Sequence, residues 1–147
     1  VRTGMVTAML DLEVLPGLLA VCRLPAGCPL PEWLAGDTLT SVTHSADETS
    51  IVCDASVVPP DVTVESGWRA IRVSGSLDFG LTGILLSVAQ PLAAAGVSIF
   101  ALSTYDTDYV LVKESALPEA VEALSSAGHR IRQGASDKRI DPDSPRR

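Results

Sequence analysis

Between residues 67 and 133 the apolar positions alternate between strand and helix periods. GWRAIRVSG (67–75) has the length and branched residues of a strand, and the glycines of LDFGLTG break it. Leu81, Leu85, Val88, Leu92 and Ala95 then recur at helical spacing, predicting a helix over 82–95 that Gly96 stops. Pro91 lies inside it, where a missing donor and a clash with the preceding turn predict a kink or an early end. VSIFALS (97–103) and YVLVKE (109–114) read as two strands close enough to form an antiparallel hairpin. Ser115 is the expected cap of a second helix with Leu117, Ala120, Val121, Leu124 and Ala127 on one face; Gly128 ends it and HRIRQ returns as a strand. Strand, helix, strand, strand, helix, strand is the split ferredoxin-like order.

The first half is a shorter echo. GLLAVCRL (17–24) reads as a strand, PLPEWLAG (29–36) as a stunted helix and LTSVTHSADETSIVCD (39–54) as a hairpin. An offset of 59 residues lays 46–53 on 105–112 with one identity and a shared apolar run, so the order of elements and this run together point to internal repetition. The expected organisation is a divergent first module (1–58), a proline-stiffened linker (59–66), a second module (67–133) and a polar, mobile tail (134–147). The fold class is α+β: tandem ferredoxin-like βαββαβ modules, with antiparallel sheets and helices on one face.

Charge narrows the function. With 11 basic and 18 acidic residues the net charge is −7, which opposes binding to nucleic acid or to an anionic membrane surface. Asp11 and Glu13 interrupt what a signal peptide would need as an apolar run. No charge occurs from Phe79 to Tyr105, but Thr82, Gly83, Ser87, Gln90, Pro91, Gly96 and Ser98 interrupt that stretch, which fits a buried helix and strand better than a membrane span. Cys22, Cys28 and Cys53 lack metal-binding spacing and read as free thiols in core positions, consistent with a reducing cytoplasm. With only His44 and His129 beside them, no metal site assembles, and no P-loop, dinucleotide fingerprint or nucleophile elbow implies a cofactor.

The candidate chemistry sits in STYDTDYVLV (103–112). Asp106 suits a hairpin turn, whereas Asp108, entering the second strand, could pair with an ammonium or grip a guanidinium through two hydrogen bonds. Tyr105 could cover a ligand's apolar stem or stack on its cation, or simply cap the core edge. Thr104 offers a hydroxyl but is equally an ordinary strand residue. At the start of the first helix, unpaired N–H groups and the macrodipole attract a carboxylate, and Gly83 either admits a ligand to the backbone or permits close packing of helix on strand. Trp33 and Trp68 read as core or interface anchors. His44, near Asp47, is a catalytic candidate or an exposed strand residue, and His129 a polar residue at the end of the second helix.

With these residues in hand, LDFGLTGILLSVAQPLAAAGVSIFALSTYDTDYVLV (77–112) resembles the ACT-type module of small bacterial amino-acid-binding proteins and is similar to the cytosolic arginine sensors of animals. The likeness covers most of 67–132 and is looser over 10–58. It rests on two patches together, the T-G-I loop before the helix and the S-T-Y-x-x-D-Y-x-L-V hairpin. The resemblance implies paired ferredoxin-like modules with a free amino acid bound where they meet. Carried over, the pocket comprises Thr82, Gly83, Ile84, Thr104, Tyr105 and Asp108, and arginine and lysine are the cationic candidates. The animal sensors contain four modules and this chain two, so a complete equivalent requires a homodimer. The expected function is a cytoplasmic amino-acid sensor acting on an unidentified regulated protein. The alternatives are a small enzyme using Asp106, Asp108 or His44 for proton transfer, and a structural interaction module.

Overall fold

The computed structural model describes residues 9–74 and 83–134. The chain forms strands β1 (Asp11–Val14), β2 (Leu19–Leu24), β3 (Ser41–His44), β4 (Thr49–Asp54) and β5 (Thr63–Val73). Helix α1 (Ile84–Ala94), strands β6 (Ile99–Ser103) and β7 (Asp108–Lys113), helix α2 (Leu117–Ser126) and strand β8 (Arg130–Gln133) follow. All eight strands belong to one sheet. Each pairing is antiparallel except that of β1 with β8.

The second half follows the order expected from its periodicity, with one insertion. β6 pairs with β7 and β7 with β5, as in a ferredoxin-like sheet, but the strand beside β5 is β1, and β8 lies outside it. Leu10, Leu12 and Val14 alternate with Asp11 and Glu13, a half-buried strand pattern, and Leu12 and Val14 are fully buried. In the first half the order β3-β4-β2-β5 is again that of a ferredoxin-like sheet, without helices.

Four sequence expectations are corrected here. PLPEWLAG forms turns rather than a stunted helix. Pro29 and Pro31 remove donors and hold their predecessors extended, and Trp33 and Leu34 of this segment reach the core. Thr63–Ser66, expected within a linker, are the first residues of β5, and the two prolines before them end in a tight turn. Ser115 is not a helix cap: Glu114–Ala116 make a 3-10 turn, and α2 starts at Leu117 with Pro118, whose lack of an N–H costs nothing there. Pro91 neither ends nor shortens α1, which runs on to Ala94. The expected tail beyond Gly134 lies outside the described residues.

β5 joins the halves. Thr63, Val64, Glu65 and Trp68 pair with β2, Ile71–Val73 with β1 on the same edge, and Trp68–Arg72 with β7 on the other. Its register against β2 shifts between Leu19 and Val21. Gly67, at φ 83°, sits beside this irregularity in a left-handed conformation that a side chain would resist.

Period-two alternation divides the core between the two faces. Leu12 and Val14 of β1, Ile71 and Val73 of β5, and Val110 and Val112 of β7 meet Val88 and Leu92 of α1 and Ala120 and Leu124 of α2. On the other face, Leu15, Leu19, Val52, Ala70 and Leu111 pack with Trp68, Phe100, Leu102 and Tyr109. Under the first half, Ala20, Cys22, Ile51 and Cys53 are covered by Trp33, Leu34 and the 55–62 connection, so loops stand where a second pair of helices would. Among the described residues no helix is long and apolar enough to cross a membrane.

Leu12→Ala should cost about 2–5 kcal/mol of stability, read from the shift in the urea midpoint, because the side chain is fully buried. A cost under about 1 kcal/mol would mean that β1 is not an integral strand. The buried Cys53 thiol is pushed up to about 12 from its ordinary 9.0 by burial and then by the neighbouring Cys22. Its stabilising effect is therefore complete below pH 9 and lost as the unfolded chain alone ionises between about pH 9 and 12. Unfolding free energies from urea titrations at pH 8 to 11 should fall more steeply for the wild type than for Cys53→Ala, by up to about 1.4 kcal/mol per pH unit.

Candidate functional site

α1 begins without a cap. Gly83 occupies the N-cap position at φ 77°, carries no side chain to bond the first turn, and no acidic residue follows it there. The first intrahelical bond runs from the Ser87 amide to the Gly83 carbonyl at 2.9 Å, and the amides of the preceding turn have no intrahelical acceptor. A Cβ built on Gly83 would meet nothing within 4 Å among the described residues. The left-handed backbone, rather than close packing on a strand, therefore selects glycine here. Ile84 is turned inward and is 8% exposed, which leaves its amide and not its side chain for a ligand. Leu85 and Leu86 point outward. Thr82 lies outside the described residues.

The β6–β7 hairpin closes through Thr104, whose amide donates to the Thr107 carbonyl at 2.8 Å. The Thr104 hydroxyl is engaged with the same backbone, at 3.3 Å from the Thr107 oxygen and 3.4 Å from its amide nitrogen, so it serves the turn. Tyr105 and Asp106 form the tip, and Tyr105 is 81% exposed. Asp108 starts β7 opposite Ser103, whose hydroxyl donates to the Asp108 Oδ1 at 2.5 Å. Alternation sets Asp108 on the face of Val110 and Val112, the face that α1 covers.

Thr107 is the residue the sequence reading missed. It is buried, and its hydroxyl donates to the Val73 carbonyl at 2.7 Å, tying the hairpin tip to the end of β5 from which the chain proceeds to α1. Its local sequence is that of any polar turn, and only the pairing of β7 with β5 brings Val73 within reach. The uncapped helix start and the Asp108 carboxylate thus share one face at one end of the sheet.

The other candidates lie elsewhere. His44 stands on β3, with Nδ1 3.1 Å from the Thr49 hydroxyl. β4, β2 and β5 separate it from β7, about 19 Å at the usual strand spacing, so it cannot share a proton-transfer site with Asp108. Trp68 lies against Phe100 with ring centroids 6.3 Å apart and carries the Lys113 ammonium 4.6 Å above its ring. Trp33 covers the first-half core. Cys22, Cys28 and Cys53 are free thiols. Among the described residues no three His, Cys, Asp or Glu side chains gather as metal ligands would.

A ferredoxin-like, α+β architecture is the class that these features define. The chain belongs to the ACT-domain family. The ACT domain model matches residues 63–126, and a second model, for an N-terminal domain, matches 17–61. The chain is 37% identical to protein Atu0741 from Agrobacterium tumefaciens, whose crystal structure it matches with a TM-score of 0.82 over 86% of this chain and 95% of that one. It is also 37% identical, over 83 residues, to the human cytosolic arginine sensor for mTORC1 subunit 1. That match spans 51% of this chain and 25% of the sensor, so the chain corresponds to about a quarter of that relative's length. The aspartate kinase of Synechocystis shares the fold alone, at 16% identity and a TM-score of 0.62 over 87% of this chain and 28% of the kinase.

Thr107→Val keeps the shape and deletes the donor to Val73, leaving a buried carbonyl unpaired. It should cost about 1–3 kcal/mol in urea unfolding, with a normal fold by circular dichroism. A loss below about 0.5 kcal/mol would show that the hairpin tip is held by other contacts.

Proposed function

We propose that this protein is a regulatory module that binds a free amino acid between the start of α1 and the β6–β7 hairpin, acting as a homodimer that signals to a regulated protein. The observation that carries the proposal is the common face and end shared by the uncapped helix start and the Asp108 carboxylate. A free amino acid presents a carboxylate and a cation a few bonds apart. The amides of the first turn of α1 suit the carboxylate, helped by the positive end of the helix dipole. Asp108 suits an ammonium or a guanidinium, the latter through two parallel hydrogen bonds. Gly83 keeps the approach to the backbone open, and Tyr105 and Thr104 border the space from the hairpin side. Likeness to an arginine sensor brings arginine and lysine forward as the ligands to try first.

The homodimer has its own support. β6 pairs only with β7 among the described strands, which leaves its other edge open. α1 also exposes Leu85 and Leu86, and no charged residue occurs from Gly83 to Tyr105 in a chain of net charge −7. A second copy seated there would wall the half-open site. Within one copy, we read the chain as two ferredoxin-like units that share β5 instead of a linker.

Thermal unfolding in the presence of each of the twenty amino acids tests the reading. A ligand at about 100-fold its Kd stabilises by about 2.7 kcal/mol, a rise of several degrees for a chain of this size. Arginine or lysine should give the rise, and Asp108→Ala should erase it while leaving the unliganded midpoint nearly unchanged. Full retention of the rise would remove Asp108 from the site, and time-dependent conversion of the amino acid would favour an enzyme.

A further inference from the structure

His129 does not sit at the surface beyond α2 but is buried, at 5% exposure, where three elements meet. Its Nδ1 accepts the Leu10 amide at 3.1 Å, at the entry to β1. That contact fixes the tautomer: the ring proton lies on Nε2, which donates to the Ser87 carbonyl at 2.8 Å. Ser87 in turn donates its hydroxyl to the Gly83 carbonyl at 2.8 Å.

The Ser87 carbonyl is available for a specific reason. In a regular helix it would accept from the amide four residues on, and that residue is Pro91, which has none. A buried carbonyl without a donor is costly, and His129 supplies the donor from outside the helix. The interior proline and the buried histidine are therefore two parts of one device, which explains how α1 continues past Pro91 to Ala94.

We propose that His129 is a positioning residue for the ligand-facing first turn of α1, clasping it to β1 through the carbonyl that Pro91 leaves open. The ring bridges two elements that make no continuous hydrogen-bonded ladder with each other, and Ser87 extends the bridge to Gly83. The setting of the first-turn amides then depends on a residue at the far end of the described chain. The role in binding rests on the amino-acid site proposed above, whereas the clasp itself does not.

Amide hydrogen exchange in the ligand-free protein reads both ends of the bridge. His129→Leu should speed exchange of the Leu10 and Ser87 amides by about tenfold or more and leave the Val52 amide in β4 unchanged. His129→Gln, which carries one donor and one acceptor, should restore most of the protection. Pro91→Ala returns an amide to the Ser87 carbonyl. In that background His129→Leu should release Leu10 alone, a non-additivity that a general loss of packing would not produce. Ser87 exchange that ignores His129 when Pro91 is present, or that responds equally once Pro91→Ala has been made, overturns the clasp. If His129→Leu does not fold, His129→Phe, which keeps a flat ring but neither the donor nor the acceptor, makes the same decision with and without Pro91→Ala. L-Arginine titrated into the folded variants gives the second arm: about tenfold weaker binding for Leu and within about threefold of wild type for Gln support positioning. Equal affinities overturn it. A wild-type protein that ignores L-arginine but shows the exchange pattern would overturn the arginine reading and leave the clasp standing.

Discussion

Everything in this fold depends on β5 being hydrogen-bonded along both edges. Eleven residues hold β2 and β1 on one side and β7 on the other, so neither half of the sheet is complete without the same strand. The site inherits this arrangement. Thr107 closes the hairpin tip onto Val73 because β7 lies along β5, and α1 starts over that end because the chain leaves β5 there.

The second half was legible because its elements carry their own periods. Val110 and Val112 against Leu111, and Val88 with Leu92, announce strand and helix without reference to any partner. The expected failures lie where a partner decides. β1 has a readable alternation of Leu10, Leu12 and Val14, but its place between β5 and β8 is a pairing over some 60 and 120 positions that local pattern cannot supply. Thr63–Ser66 look like linker because Pro59 and Pro60 precede them and exposed side chains dominate, although their backbone is held by β2. Loops took the place of the first-half helices because proline-rich segments can cover a core with a few large side chains such as Trp33.

The candidate site divides the same way. Gly83 and Asp108 are visible in sequence as a helix corner and a hairpin shoulder, and their chemistry follows from their residue types. Thr107 and His129 are not visible, because a threonine in a turn and a histidine after a helix acquire meaning only from what lies opposite. Pro91 was read as a flaw in α1; in three dimensions it marks the carbonyl that His129 needs.

The uncharged stretch from Gly83 to Tyr105 has a kinetic consequence for any copy that meets another through it. With a net charge of −7 the molecules repel at long range, and salt shortens the reach of that repulsion to about 8 Å at physiological ionic strength. Once the apolar faces touch, few charges remain between them to be screened. Ionic strength would then govern how often such encounters succeed, while the lifetime of the pair would be left to apolar contact and backbone pairing.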